Sequence, residues 1–140
     1  MATAPEVVAL LAISDPSNPP GGEPDLVVSA NFLSQLGMIP VDRLSASDLD
    51  EELPADCSCA AARRHLAWLT ARPGVRVLLS DVARLDVPPG GRELARRTIF
   101  ERLNLRVPDQ SWRWDLAPIP EWSREWHRVH EVGAWIDGPV

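Results

Sequence analysis

Lysine is absent from this chain: all 14 basic residues are arginine, a bias expected of a GC-rich coding sequence before any functional cause. Cysteine is scarce, with only Cys57 and Cys59. A single intervening residue makes a bridge between them strained, so a secreted disulfide framework is excluded and reduced thiols are expected. No run approaches the ~18 apolar residues of a membrane span. The opening MATAPEVVALLAISD has no basic region and carries Glu6 before its apolar stretch, so no secretory leader is expected and the chain reads as cytoplasmic, without membrane contact. A basic stripe is also lacking. The net charge is −6, and residues 1–60 hold ten acids against Arg43 alone, so non-specific nucleic-acid binding is not expected. Neither a GxSxG elbow nor a GxGxxG or phosphate-cradling loop occurs, because Gly21-Gly22 and Gly90-Gly91 are loop pairs beside prolines.

What is present suits a globular protein. At 140 residues and 45% hydrophobic composition, a single domain over residues 1–140 can bury a core without staples. The apolar run within 5–14 reads as a buried strand that ends at Asp15-Pro16. Residues 15–24 hold four prolines and two glycines, which is loop chemistry throughout. Residues 25–30, DLVVSA, read as a second buried strand, after which Asn31 is placed to cap a short helix closed by Gly37 and Pro40. The acids between 41 and 56 read as a solvated loop.

From Ser58, Ala62, Leu66 and Leu69 repeat at helical spacing until Pro73-Gly74. A strand is expected over 75–81 and a helix from about Arg92 to Leu103, with Ala95, Ile99 and Leu103 on one face. Then the period changes. Trp112, Trp114 and Leu116 alternate with Arg113 and Asp115, and a last strand between about Trp126 and Ile136 completes an antiparallel hairpin. The order of elements predicts an α/β fold with a mainly parallel sheet and an antiparallel edge.

Candidate chemistry is thin. Cys57, Cys59 and His65, with His127 and His130 far along the chain, contain the residue types of a metal site. The cysteine spacing is too short for the usual zinc arrangement, and His127 and His130 on one strand would point to opposite faces, so no metal is expected. Five of the six tryptophans lie between 112 and 135. Packing on a helix or on a partner chain is the expected use of such a hairpin, in preference to base stacking.

One stretch carries more than class-level information. Val7 through Asp15, a loop of about ten residues, and then Asp25-Leu26-Val27-Val28-Ser29-Ala30-Asn31-Phe32-Leu33-Ser34-Gln35-Leu36 resemble the third and fourth strands of class I S-adenosylmethionine-dependent methyltransferases. The segment Arg63 to Leu69, the run Val75 to Asp81 and the closing hairpin follow the same plan. The resemblance implies a partial Rossmann-like methyltransferase sheet that keeps the substrate-side half of the fold. It places Asp15 at the adenine amino group, and Asn31 with the backbone near Ser29 beside the methyl donor, with S-adenosylmethionine as cofactor. The family's glycine-rich turn has no counterpart here, so the implied protein is inactive alone or completed by a partner. The alternative is a non-catalytic interaction module.

Asp15 and Asn31 also suit ordinary roles, in a turn and at a helix N-terminus. Deleting two interior strands of the family sheet would leave the run 7–14 to pair with 25–30, to become a helix, or to take strands from a partner chain. Either a homodimer, joined through the C-terminal hairpin or the run 7–14, or a complementary subunit is therefore expected, the alternative being a compact monomer in which 7–14 pairs with 25–30 and the tryptophans fold onto the helix 92–103.

Overall fold

The computed structural model describes residues 22–36, 53–98 and 101–138. Strand β1 is Leu26–Ala30, helix α1 is Leu53–Thr70, and β2 is Val75–Val87. After these come β3 (Ala95–Thr98), a single 3-10 turn at Glu101–Leu103, β4 (Gln110–Ala117) and β5 (His127–Asp137). Hydrogen bonding orders the sheet β1-β2-β5-β4, with β3 also paired to β2. The expected run 7–14 and Asp15 lie outside the described residues.

The mainly parallel, Rossmann-like α/β sheet is not what forms. The sheet is mixed, its β2–β3 and β4–β5 pairs are antiparallel, and α1 is the one α-helix among the described residues. The strand–helix–strand order at the front of the chain suggested a doubly wound sheet. That order persists in β1, α1 and β2, but everything after β2 returns by hairpins.

The segment expected as a helix over 92–103 shows why. Pro88-Pro89-Gly90-Gly91 turns the chain back on itself, with Gly90 at φ +63° and Gly91 N–H donating to the Pro88 carbonyl at 3.1 Å. Leu94 N–H then donates to the Asp86 carbonyl at 2.9 Å, and Leu85↔Arg96 and Ala83↔Thr98 follow in register. An apolar stripe of three residues in an arginine-rich stretch offers a helix little to bury, whereas a returning strand satisfies the backbone along β2.

Two compact units divide the chain, residues 1–77 with 137–140, and residues 78–136. In the first, α1 begins earlier than the expected Ser58, with Pro54 tolerated in its opening turn. Its far end is closed by side chains. The Thr70 hydroxyl donates to the Leu66 and Ala67 carbonyls at 2.9 and 3.0 Å, and Arg76 donates to the Thr70 and Arg72 carbonyls at 3.3 and 3.0 Å. Gly74, at φ +76°, follows, where an added Cβ would collide with the Asp25 carbonyl. Val75 N–H donates to that same carbonyl at 2.8 Å, so β1 and β2 leave from the same end. Ala62, Leu69 and Leu33 are buried here. The expectation of a buried β1 is corrected, since Leu26 and Val28 are 55% and 52% exposed and only Ser29 is fully buried.

In the second unit the buried apolar residues are Leu78, Ala83, Leu85, Val132, Ala134 and Trp135. Burial along β2 keeps a period of two at Leu78 and Ser80 and again at Ala83 and Leu85, with the phase slipping by one residue between them. The β4–β5 hairpin has Trp112↔Val132, Arg113↔Glu131 and Trp114↔His130 opposite each other, with an irregularity between Asp115 and Ala117. The antiparallel pairing expected for the last two strands is therefore present.

Candidate functional site

Ser29 and Asn31 belong to the first unit, and its geometry places a partner there that local sequence did not indicate. Ser29 Oγ lies 2.7 Å from His65 Nε2, joining β1 to α1 across 36 residues of sequence. His65 is flanked by aromatic rings, with Phe32 edge-on at 5.4 Å and Trp68 stacked at 5.7 Å, and the Arg72 guanidinium lies 5.2 Å from the Trp68 ring. Burial lowers the His65 pKa below the usual histidine value, which keeps the ring neutral at pH 7. A serine hydroxyl on a neutral imidazole is the first half of a nucleophile–base pair. Two features argue for a structural tie instead: Ser29 is only 6% exposed, and no described carboxylate touches the ring to orient it.

Asn31 does not cap a helix. Its φ of +54° is left-handed, whereas an N-cap needs extended backbone, and residues 33–36 form a turn held by Gln35 and Leu36 N–H groups on the Phe32 carbonyl. Asn31 Oδ1 is buried without a hydrogen-bond partner.

The metal candidates are dispersed. Cys59 is a half-buried free thiol, and the side chain of Cys57 lies outside the described residues. His130 Nδ1 sits 3.1 Å from Asp81 Oδ2 in the interior of the second unit, while His127 Nδ1 approaches Asp115 Oδ2 to 3.2 Å without hydrogen-bond geometry. Among the described residues no three metal-ligating side chains converge. An open groove of about 380 Å³ lies between Val82, Thr98 and Trp135, but the Arg106 guanidinium at its rim is already engaged by both Asp109 oxygens at 2.7 and 2.8 Å.

The hairpin is the more distinctive surface. β4 ends the strand order, so one row of its backbone groups has no neighbour among the described strands. Every residue from Gln110 to Leu116 is exposed. Trp112, Trp114 and Leu116 are 41%, 48% and 49% exposed at alternate positions, and Trp122 beyond the strand is 60% exposed with Arg128 3.9 Å from its ring. Trp135, the last of the five clustered tryptophans, is buried, its indole N–H donating to the Arg106 carbonyl at 2.7 Å.

Beside β4 runs a charged lattice that sequence reasoning missed. Arg96 donates to Glu131 at 2.6 Å and to Glu93 at 3.0 Å, and Arg113 reaches Glu93 at 3.6 Å. No local signal marks it, since its members come from three separate segments.

No family model, no curated protein and no solved structure matches the chain. No helix among the described residues is long and apolar enough to cross a membrane.

Proposed function

We propose that this chain is a non-catalytic protein-binding module whose contact surface is the free edge of β4. The observation that carries the reading is an edge strand exposed along seven consecutive residues, with Trp112, Trp114 and Leu116 alternating with charge. Soluble proteins normally blunt such an edge by covering or shortening it, and an added strand would satisfy its backbone while the tryptophans supply apolar area. Selection from a random peptide library against the folded chain and against its Trp112→Ser/Trp114→Ser variant tests this. Peptides that bind the first and not the second support the reading. Failure to select any when the chain is displayed at a dilution that keeps it monomeric, or equal binding by both proteins, overturns it.

The S-adenosylmethionine reading has less to stand on. β1 does run into Asn31 as the resemblance requires, but the parallel sheet that would flank a cofactor crevice is replaced by hairpins. Titration calorimetry with S-adenosylmethionine should give no heat of binding, and stoichiometric binding would restore the enzyme reading.

A further inference from the structure

We propose that the strand added to β4 is the β4 of a second copy of this chain, antiparallel about a two-fold axis through Trp114. The inference rests on the edge-strand reading above and identifies its partner.

Residues directly opposite in an antiparallel pair share a face of the sheet, so a two-fold axis between identical strands must set some residue opposite itself. Three positions at the centre of β4 are available. An axis through Arg113 sets arginine against arginine, and an axis through Asp115 sets aspartate against aspartate; like charges directly opposite destabilise a sheet. An axis through Trp114 instead places Arg113 opposite Asp115 of the second copy, and symmetry repeats that pair. The same register sets Trp114 on Trp114, with Trp112 on one side and Leu116, within the irregularity between Asp115 and Ala117, on the other adding apolar area; these side chains are each 41% to 49% exposed in one chain. The charged and apolar positions are therefore complementary under one operation, and the contact closes as a dimer.

Neither charge is held by a hydrogen bond to a described residue, although Arg113 faces Glu131 across the β4–β5 ladder. Arg113 stands 3.6 Å from Glu93 with its side chain 60% exposed, and Asp115 meets His127 without hydrogen-bond geometry with its side chain 49% exposed. Both can accept a facing partner without breaking a buried contact. The same charges act against other registers, which is how an edge strand can pair with one partner and resist general aggregation.

Sedimentation equilibrium of the full chain and of three variants tests the pairing. The wild type should sediment as a dimer of the 15.4 kDa chain. Arg113→Asp alone and Asp115→Arg alone each set like charges together twice, and should weaken self-association by roughly tenfold or more. Arg113→Asp combined with Asp115→Arg exchanges the two signs and should restore the dimer. Circular dichroism confirms that each exposed-site variant stays folded. A wild-type monomer, a dimer indifferent to the single reversals, or a double variant as weak as the singles would each overturn the pairing. A monomer that still binds library peptides through its tryptophans leaves the edge-strand reading intact, whereas loss of both activities removes both conclusions.

Discussion

Gly133 lies where β5 is buried on both sides, and its replacement by alanine is a sharp test of how that strand is packed. A Cβ built there would stand 2.7 Å from Trp135 Cη2, 3.0 Å from Trp135 Cζ3 and 3.1 Å from Pro108 Cβ. The indole borders the open groove beside Val82 and Thr98 but is tethered in place. It is 5% exposed, and its N–H is held at 2.7 Å by the Arg106 carbonyl, whose own segment is fastened by the Arg106–Asp109 pair. Overpacking of this kind costs about 1–3 kcal/mol. For a chain of this length that lowers the melting temperature by roughly 4–12 °C.

Trp135→Phe removes the ring edge that collides but also loses the N–H bond, so by itself it should destabilise too. Together the two substitutions should cost less than their sum, with a coupling of about 0.5 kcal/mol or more, because phenylalanine vacates the space the new methyl needs. Urea unfolding gives the free energies, and unchanged slopes show that the denatured state is comparable. Gly133→Ala within about 0.5 kcal/mol of wild type, or strict additivity with Trp135→Phe, would refute the packing argument.

Other outcomes follow from polar groups. Ser80 is fully buried and its hydroxyl has no partner, so Ser80→Ala should leave stability unchanged or raise it by about 1 kcal/mol. A clear loss in the denaturant midpoint would show that the hydroxyl is satisfied. His65 has its pKa lowered by burial, so between the ordinary value of 6.5 and the folded one the unfolded chain binds more protons. Stability contributed by the neutral ring is present above that range and lost as pH falls through it. His65→Gln should therefore show a smaller stability loss than wild type on going from about pH 7.5 to about pH 5.5, and equal losses would contradict the assignment. Asp109 is pushed down to about 2, first by the Arg106 hydrogen bonds and then by the Ile136 N–H. Its contribution is present above the ordinary carboxylate value and disappears as pH falls toward 2. A carboxyl titration by NMR should find that midpoint in the wild type and a higher one in Arg106→Gln; identical midpoints would show that the pair does not form.

Local pattern accounts for much of the architecture. The alternation of Trp112, Trp114 and Leu116 with Arg113 and Asp115 made β4 legible because a period of two has no helical reading, and Pro73-Gly74 marked the end of α1 through the chemistry of two residues. β1 and the start of β2 were legible for the same reason, as short apolar runs between turn signals. What these signals describe is a segment and its immediate neighbours. They do not say which strands pair. The fold class was misread because β3 exists only through its hydrogen bonds to β2, and residues 95–98 carry no alternation of their own to announce it.

The sites divide along the same line. Ser29 and Asn31 stood out in the sequence as the end of a strand, yet the partner that defines Ser29 is His65, brought to it by the docking of α1 against β1. Likewise, composition counted five tryptophans in the last third without ranking them. Tertiary structure buried Trp135 beneath Arg106 and left Trp112 and Trp114 on an open edge. Spacing along the chain determines which face a side chain occupies, because helix and strand geometry is periodic. Whether that face is covered depends on elements distant in sequence, whose pairing is decided by the total burial and hydrogen bonding of the assembled chain.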